Sequence, residues 1–198
     1  MSLWIKICGL TTQEGVQAAS EADVDAIGFV FAPSKRRVDV STARELAAAA
    51  PGSIVRVAVM LHPSQAQLDE VVAGFAPDIV QTDAEDLRAL NIPAHIAVMP
   101  VFRSSQALPS ILPQRLLFEG PVSGTGTTAD WSQAAQVATR TQLVLAGGLS
   151  PLNVAQAVRT VRPFGIDVSS GVERASGVKD AQKIFEFVHA ARAAAESP

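Results

Sequence analysis

The chain's 198 residues include sixteen basic and nineteen acidic side chains, a formal charge of -3, three histidines and a single cysteine. That length buries a substantial core without staples, one cysteine excludes an intramolecular disulfide, and the cysteine with three scattered histidines argues against structural zinc and fits a reducing compartment. Nucleic acid is not an expected partner, because Lys35-Arg36-Arg37 is the one dense basic run; no apolar stretch reaches a membrane span and no secretory pattern opens the chain, so a soluble, cytoplasmic protein is expected.

Short β-branched apolar runs alternate with alanine-rich segments of helical period from one end to the other. Strands are predicted at 3–8, 25–31, 54–60, 78–81, 95–101, 115–119, 142–146 and 164–168. Helices are predicted at 12–22, 41–50, 64–75, 84–90, 130–139, 151–160 and 180–194. The fifth helix, over 104–112, should be short or missing, since Pro109 interrupts it and Pro113 follows. Ala26-Ile27-Gly28-Phe29-Val30-Phe31 and Leu143-Val144-Leu145-Ala146 are apolar on both faces, as strands of a covered parallel sheet are. Eight such units point to a single α/β domain over 1–198, a (β/α)8 barrel near the minimal length for that fold. An open doubly wound sheet is the competing architecture.

In a barrel the residues after each strand converge on one mouth and read as one constellation. Cys8 ends the first strand and precedes Gly9, where a thiol is held rigidly beside a loop that admits substrate; its plainer reading is a small buried hydrophobe. The second strand is followed by Lys35-Arg36-Arg37, the fourth by Gln81-Thr82-Asp83 and the sixth by Glu119. Gly147 and Gly148 after the seventh strand, and Ser169, Ser170 and Gly171 after the eighth, let bare amides approach a phosphate. Taken singly, the glycines also fit a tight turn and the serines a helix cap. Gly124-Thr125-Gly126-Thr127-Thr128-Ala129 matches a dinucleotide fingerprint in form, yet no acidic residue follows about 20 positions on, so it reads as a mouth loop with Asp130 capping the next helix.

Four motifs, in this order and spacing, resemble the phosphoribosylanthranilate isomerase family of tryptophan biosynthesis. They are Lys6-Ile7-Cys8-Gly9-Leu10-Thr11, Gly28-Phe29-Val30-Phe31 with Ser34-Lys35-Arg36, Leu145-Ala146-Gly147-Gly148-Leu149-Ser150-Pro151-Leu152-Asn153, and Asp167-Val168-Ser169-Ser170-Gly171-Val172-Glu173. The resemblance implies a cofactor-free Amadori rearrangement of N-(5-phosphoribosyl)anthranilate to 1-(2-carboxyphenylamino)-1-deoxyribulose 5-phosphate, by a monomer or homodimer. It makes Cys8 the general base and the carboxyl group after the sixth strand, Glu119, the general acid. Arg36 would fork onto the anthranilate carboxylate, Asp167 would orient the ribose part, and the glycine and serine loops would hold the phosphate.

Two places depart from the family pattern. Leu116-Leu117-Phe118-Glu119 stands where Leu-Leu-Asp is usual, and Gln81-Thr82-Asp83-Ala84 where Gln-Leu-His-Gly is common. Glutamate keeps the chemistry but adds a methylene, so either the backbone adjusts or the rate falls. Asp83 lines the mouth or caps the following helix, the commoner duty of such an aspartate. These departures leave two competing readings open: a phosphate-binding barrel with weakened catalysis, and an isomerase of a related phosphoribosyl substrate. A base needs a pKa near working pH, and a thiol's can be lowered by neighbouring positive charge; the phosphate loops and Lys6 are placed to influence it. His62, His95 and His189 match no motif, and Trp4 and Trp131 read as packing residues.

Overall fold

Eight parallel strands close on themselves, each hydrogen-bonded to the next and β8 to β1. The computed structural model describes residues 3–121 and 129–196; the loop expected at 124–128 lies outside the described residues. In chain order the barrel runs β1 (Trp4–Cys8), α1 (Gln13–Glu21), β2 (Ala26–Val30), α2 (Val40–Ala48), β3 (Val55–Val59), α3 (Gln65–Phe75), β4 (Ile79–Asp83), β5 (Ala97–Arg103) and β6 (Arg115–Glu119). It continues with α4 (Trp131–Ala138), β7 (Gln142–Leu145), α5 (Val154–Val161) and β8 (Gly165–Val168), then a hairpin, β9 (Glu173–Ala175) and β10 (Val178–Lys179), and α6 (Ala181–Glu196). The closed parallel sheet removes the doubly wound alternative. No helix among the described residues is long and apolar enough to cross a membrane.

The helices begin where short polar side chains can take up orphaned amides. Thr12 accepts from Gly15 N, Asp39 from Thr42 N, and Ser64 and Gln67 form a reciprocal capping box. Asp130 accepts from the amides of Ser132 and Gln133, the capping role read from the sequence. The helix expected over 84–90 is instead a single 3-10 turn, Asp86–Arg88. The Asp86 carboxylate is engaged by the Thr82 hydroxyl at 2.6 Å and the His62 amide at 3.0 Å, and Pro93 follows too closely for a second turn to form. No helix links β5 to β6, as the prolines there require. The hairpin β9/β10 was not expected; its strands are too short to leave a periodic signal.

Strand alternation divides the apolar residues into two layers. Ile5, Ile7, Ile27, Phe29, Val80, Leu116, Phe118, Leu143 and Ile166 face the helices. Ala26, Val57, Ile79, Met99, Val101, Leu117, Val144 and Ala146 fill the barrel. The amino end of the barrel is floored by Arg115, whose guanidinium stacks 4.5 Å from the Phe164 ring centroid and 5.9 Å from Trp4, and bonds Gln142 at 3.0 Å. Trp4 and Trp131 are both packed against buried apolar clusters, in keeping with their packing role.

Candidate active site at the carboxyl ends of the strands

The inward parity that places Ile79, Val101 and Leu117 in the barrel carries two residues further along each strand to Gln81, Arg103 and Glu119. On β1 the same parity places Lys6 and Cys8 inside. Lys6 is fully buried, with its ammonium 2.7 Å from Asp167 Oδ1 on β8. A Cβ on Gly28 would lie 3.0 Å from Lys6 Cε and 3.1 Å from Cys8 Sγ, so the bare glycine of β2 makes room for both side chains. Burial works against the Lys6 charge, but Asp167 and Cys8 outweigh it and raise its pKa above the ordinary value. For Cys8, burial is the largest effect, and Asp167 adds to it; Lys6 and Lys179 oppose them, and the thiol is raised rather than lowered. Lys6 is placed to influence the thiol, as read from the sequence, and acts to lower it, but desolvation exceeds that effect.

Arg36 reaches this cluster from the β2 loop. Its fork is closed on Glu173, with Nε 2.7 Å from Oε1 and Nη2 3.0 Å from Oε2. Gly9, at φ +71°, leaves space that a Cβ would take from Arg36 Cδ at 2.6 Å. Lys179 of β10 donates to Glu173 Oε1 at 2.9 Å, to Ser169 O at 3.0 Å and to Ser169 Oγ at 3.2 Å. Burial opposes the Glu173 charge, yet Arg36 and Lys179 hold its carboxyl below the ordinary range. Glu173 and Lys179 were given no role from sequence. Glu173 lay within a recognised motif, whereas Lys179 sits on the hairpin that periodicity missed.

The two loops read as a phosphate cradle adjoin. Gly147 and Gly148 both have positive φ, +85° and +65°, a conformation side chains resist. Asn153 fixes the loop by accepting from Ser150 N and donating to Gly148 O, each at 2.8 Å. A Cβ on Gly171 would strike the Leu149 carbonyl oxygen, so the β8 loop packs backbone to backbone on the β7 loop. Ser169 makes no capping bond, its hydroxyl being taken by Lys179, while Ser170 opens a 3-10 turn running to Val172.

Across the mouth, Glu119 ends β6 beside Arg103 of β5, its register partner, with Arg103 Nε 3.3 Å from Glu119 Oε1. Arg103 also clasps Asp83 at the end of β4, Nη1 to Oδ2 at 2.9 Å and Nη2 to Oδ1 at 2.7 Å. Asp83 thus lines the mouth and does not cap a helix. His62, after β3, has Nε2 3.8 Å from Asp83 Oδ2 and Nδ1 2.8 Å from Asp86 Oδ1. Gln81 Oε1 is buried without a hydrogen-bond partner, an unused acceptor near the mouth. Arg103 was not singled out from sequence, although its parity with Met99 and Val101 would have placed it inward.

A concavity of about 1000 Å³ lies at the opposite end, against residues such as Gln114, Arg140, Arg159, Arg162 and Phe164. Its lining holds no thiol, carboxylate or imidazole, so it offers no acid or base. The mouth does: the Cys8 thiol, the carboxyl groups of Asp83, Glu119, Asp167 and Glu173, the cations Lys6, Arg36, Arg103 and Lys179 paired among them, and two glycine-bearing loops.

A family model described as N-(5'phosphoribosyl)anthranilate (PRA) isomerase matches residues 5–190. An N-(5'-phosphoribosyl)anthranilate isomerase of Streptococcus pneumoniae (strain Taiwan19F-14) is 40% identical over 187 residues, covering 93% of each chain. The crystal structure of TrpF from Jonesia denitrificans superposes with a TM-score of 0.82 at 33% identity, covering all of both chains. A phosphoribosyl anthranilate isomerase in complex with reduced 1-(o-carboxyphenylamino)-1-deoxyribulose 5-phosphate gives 0.80 at 30% identity, covering 96% of this chain and 99% of that one.

Proposed function

Because this chain belongs to the phosphoribosylanthranilate isomerase family, aldose–ketose isomerases of tryptophan biosynthesis, we propose that it rearranges N-(5'-phosphoribosyl)anthranilate with Cys8 as general base and Glu119 as general acid. The observation that carries the assignment is the convergence of Cys8 and Glu119, from inward positions on β1 and β6, on the mouth that also presents the β7 and β8 glycine loops.

Glu119 gives a proton to the ribose ring oxygen, and the C1–O bond breaks as the nitrogen lone pair forms the C1=N bond of a protonated Schiff base. Cys8 then removes the C2 proton, and those electrons form C1=C2 while the nitrogen recovers its lone pair. The resulting enolamine takes a proton at C1 and releases one from the C2 hydroxyl, leaving the ketone, so no atoms or electrons are gained overall. The amides of Gly147, Gly148, Ser170 and Gly171 hold the phosphate. Asp167, held by Lys6, orients the ribose hydroxyls. Arg36 takes the anthranilate carboxylate, for which it must share or exchange its fork with Glu173. Lys6 and Lys179 supply the positive charge that favours the Cys8 thiolate.

Cys8→Ala tests the base directly. It should lose roughly 10²- to 10⁴-fold in kcat, the usual contribution of a positioned base. It should still bind the reduced carboxyphenylamino-deoxyribulose phosphate, measured by calorimetry, within a few fold of the unaltered protein. Undiminished turnover in Cys8→Ala would remove Cys8 from the chemistry.

A further inference from the structure

We propose that Arg103 is the positioning residue for the Glu119 carboxyl group, and that Asp83 in turn fixes Arg103, so the ends of β4, β5 and β6 form one linked chain. This rests on the reading of Glu119 as the acid. The guanidinium has two faces to its fork. Both Nη atoms are committed to the two Asp83 oxygens at 2.9 and 2.7 Å, which sets the plane of the group and leaves Nε directed at Glu119 Oε1, 3.3 Å away on the neighbouring strand. All three side chains are largely buried, at 6%, 14% and 13% exposure. In such a setting a bidentate pair holds its geometry better than a surface ion pair does.

Each of the two segments that depart from the family pattern supplies one end of this chain, Asp83 and Glu119, and Arg103 joins them. A glutamate has one more rotatable bond than an aspartate and would sweep a wider arc at the mouth. Pairing with a guanidinium that cannot itself turn restricts that arc, which is how a longer acid keeps its reach. Around the chain stand His62 and Asp86 on the β3 and β4 loops, and Glu85, which acts on Arg103 through space. The β7 end, Leu145-Ala146-Gly147-Gly148, presents no ionisable group.

The test is a set of mutant cycles measured by steady-state turnover of phosphoribosylanthranilate, with thermal melting to verify folding. Arg103→Gln should lower kcat on the order of ten- to a hundredfold, the size of an ångström-scale misplacement, with KM changed less than about threefold. Arg103→Lys, which keeps the charge but loses the fork, should recover only part of that rate. Asp83→Asn should lower kcat less, and should cost nothing further once Arg103 is Gln. Arg103→Gln should likewise cost nothing further once Glu119 is Gln.

If Glu119→Gln is inactive while Arg103→Gln keeps full kcat, or if the Asp83 and Arg103 losses simply multiply, the positioning chain is overturned and the acid stands. If Glu119→Gln turns over normally, the acid assignment itself fails and the chain with it. Should Arg103→Gln fail to fold, the cycle of Asp83→Asn with Arg103→Lys is read the same way: independent losses overturn the proposal.

Discussion

At the scale of the residue, Cys8 shows how opposing influences decide a group's chemistry. The thiol is buried beside Asp167, and both raise its pKa; Lys6 and Lys179 pull the other way and do not prevail in the unliganded site. A raised pKa moves the thiol's ionisation to higher pH than that of an ordinary cysteine. Alkylation by iodoacetamide, which reads the thiolate and has a single cysteine to report on, should therefore follow pH with a midpoint above that of an unstructured cysteine peptide. Lys6→Met should move that midpoint higher still, since it removes a cation and leaves Asp167 uncompensated. A midpoint at or below that of the peptide would contradict this balance. Arg36 teaches a related lesson. Its place at the mouth was readable from Ser34-Lys35-Arg36, but its present partner was not, because Glu173 meets it only through a fold that brings residues 137 positions apart together.

At the scale of the element, the joined β7 and β8 loops are held by what is missing. Gly171 lies so close to the Leu149 carbonyl that any Cβ must displace one loop from the other. Gly171→Ala should therefore raise KM for the phosphorylated substrate on the order of tenfold or more, while melting within a few degrees of the unaltered protein; an unchanged KM would mean the cradle does not depend on that contact.

The eight strands were legible because short apolar runs alternate with alanine-rich segments of helical period, and every strand core predicted from them is present. The 84–90 segment was misread because alanine and leucine there score as helix, while the bonds that stop it reach Asp86 from Thr82 on β4 and from His62 on the β3 loop. Lys179 and the β9/β10 hairpin escaped for a different reason: two and three residues are too few to show a period. Cys8, Glu119 and the glycine and serine loops could be placed at the mouth from their positions after strands, while Asp167 and the roles of all of them came from the family resemblance. Arg103 could not, because its significance lies in joining Asp83 to Glu119, a relation between strands rather than a pattern along one.

At the scale of the whole molecule, closure of the sheet gives the barrel two unequal ends. The amino end is filled by Arg115 stacked against Trp4 and Phe164, while the carboxyl end gathers Lys6, Cys8, Asp83, Arg103, Glu119 and Asp167 into one basin. A packed floor and a polar mouth make a one-sided reaction vessel, and a short chain reaches it with few residues spent outside the eight units. The most direct measurement is the fluorescence-followed conversion of freshly prepared phosphoribosylanthranilate by the purified protein, beside Glu119→Gln and Glu119→Asp. The account predicts turnover by the unaltered protein, collapse by roughly 10²-fold or more in the glutamine variant, and retained activity in the aspartate variant. Absence of turnover in the unaltered protein, or full activity in Glu119→Gln, would contradict it.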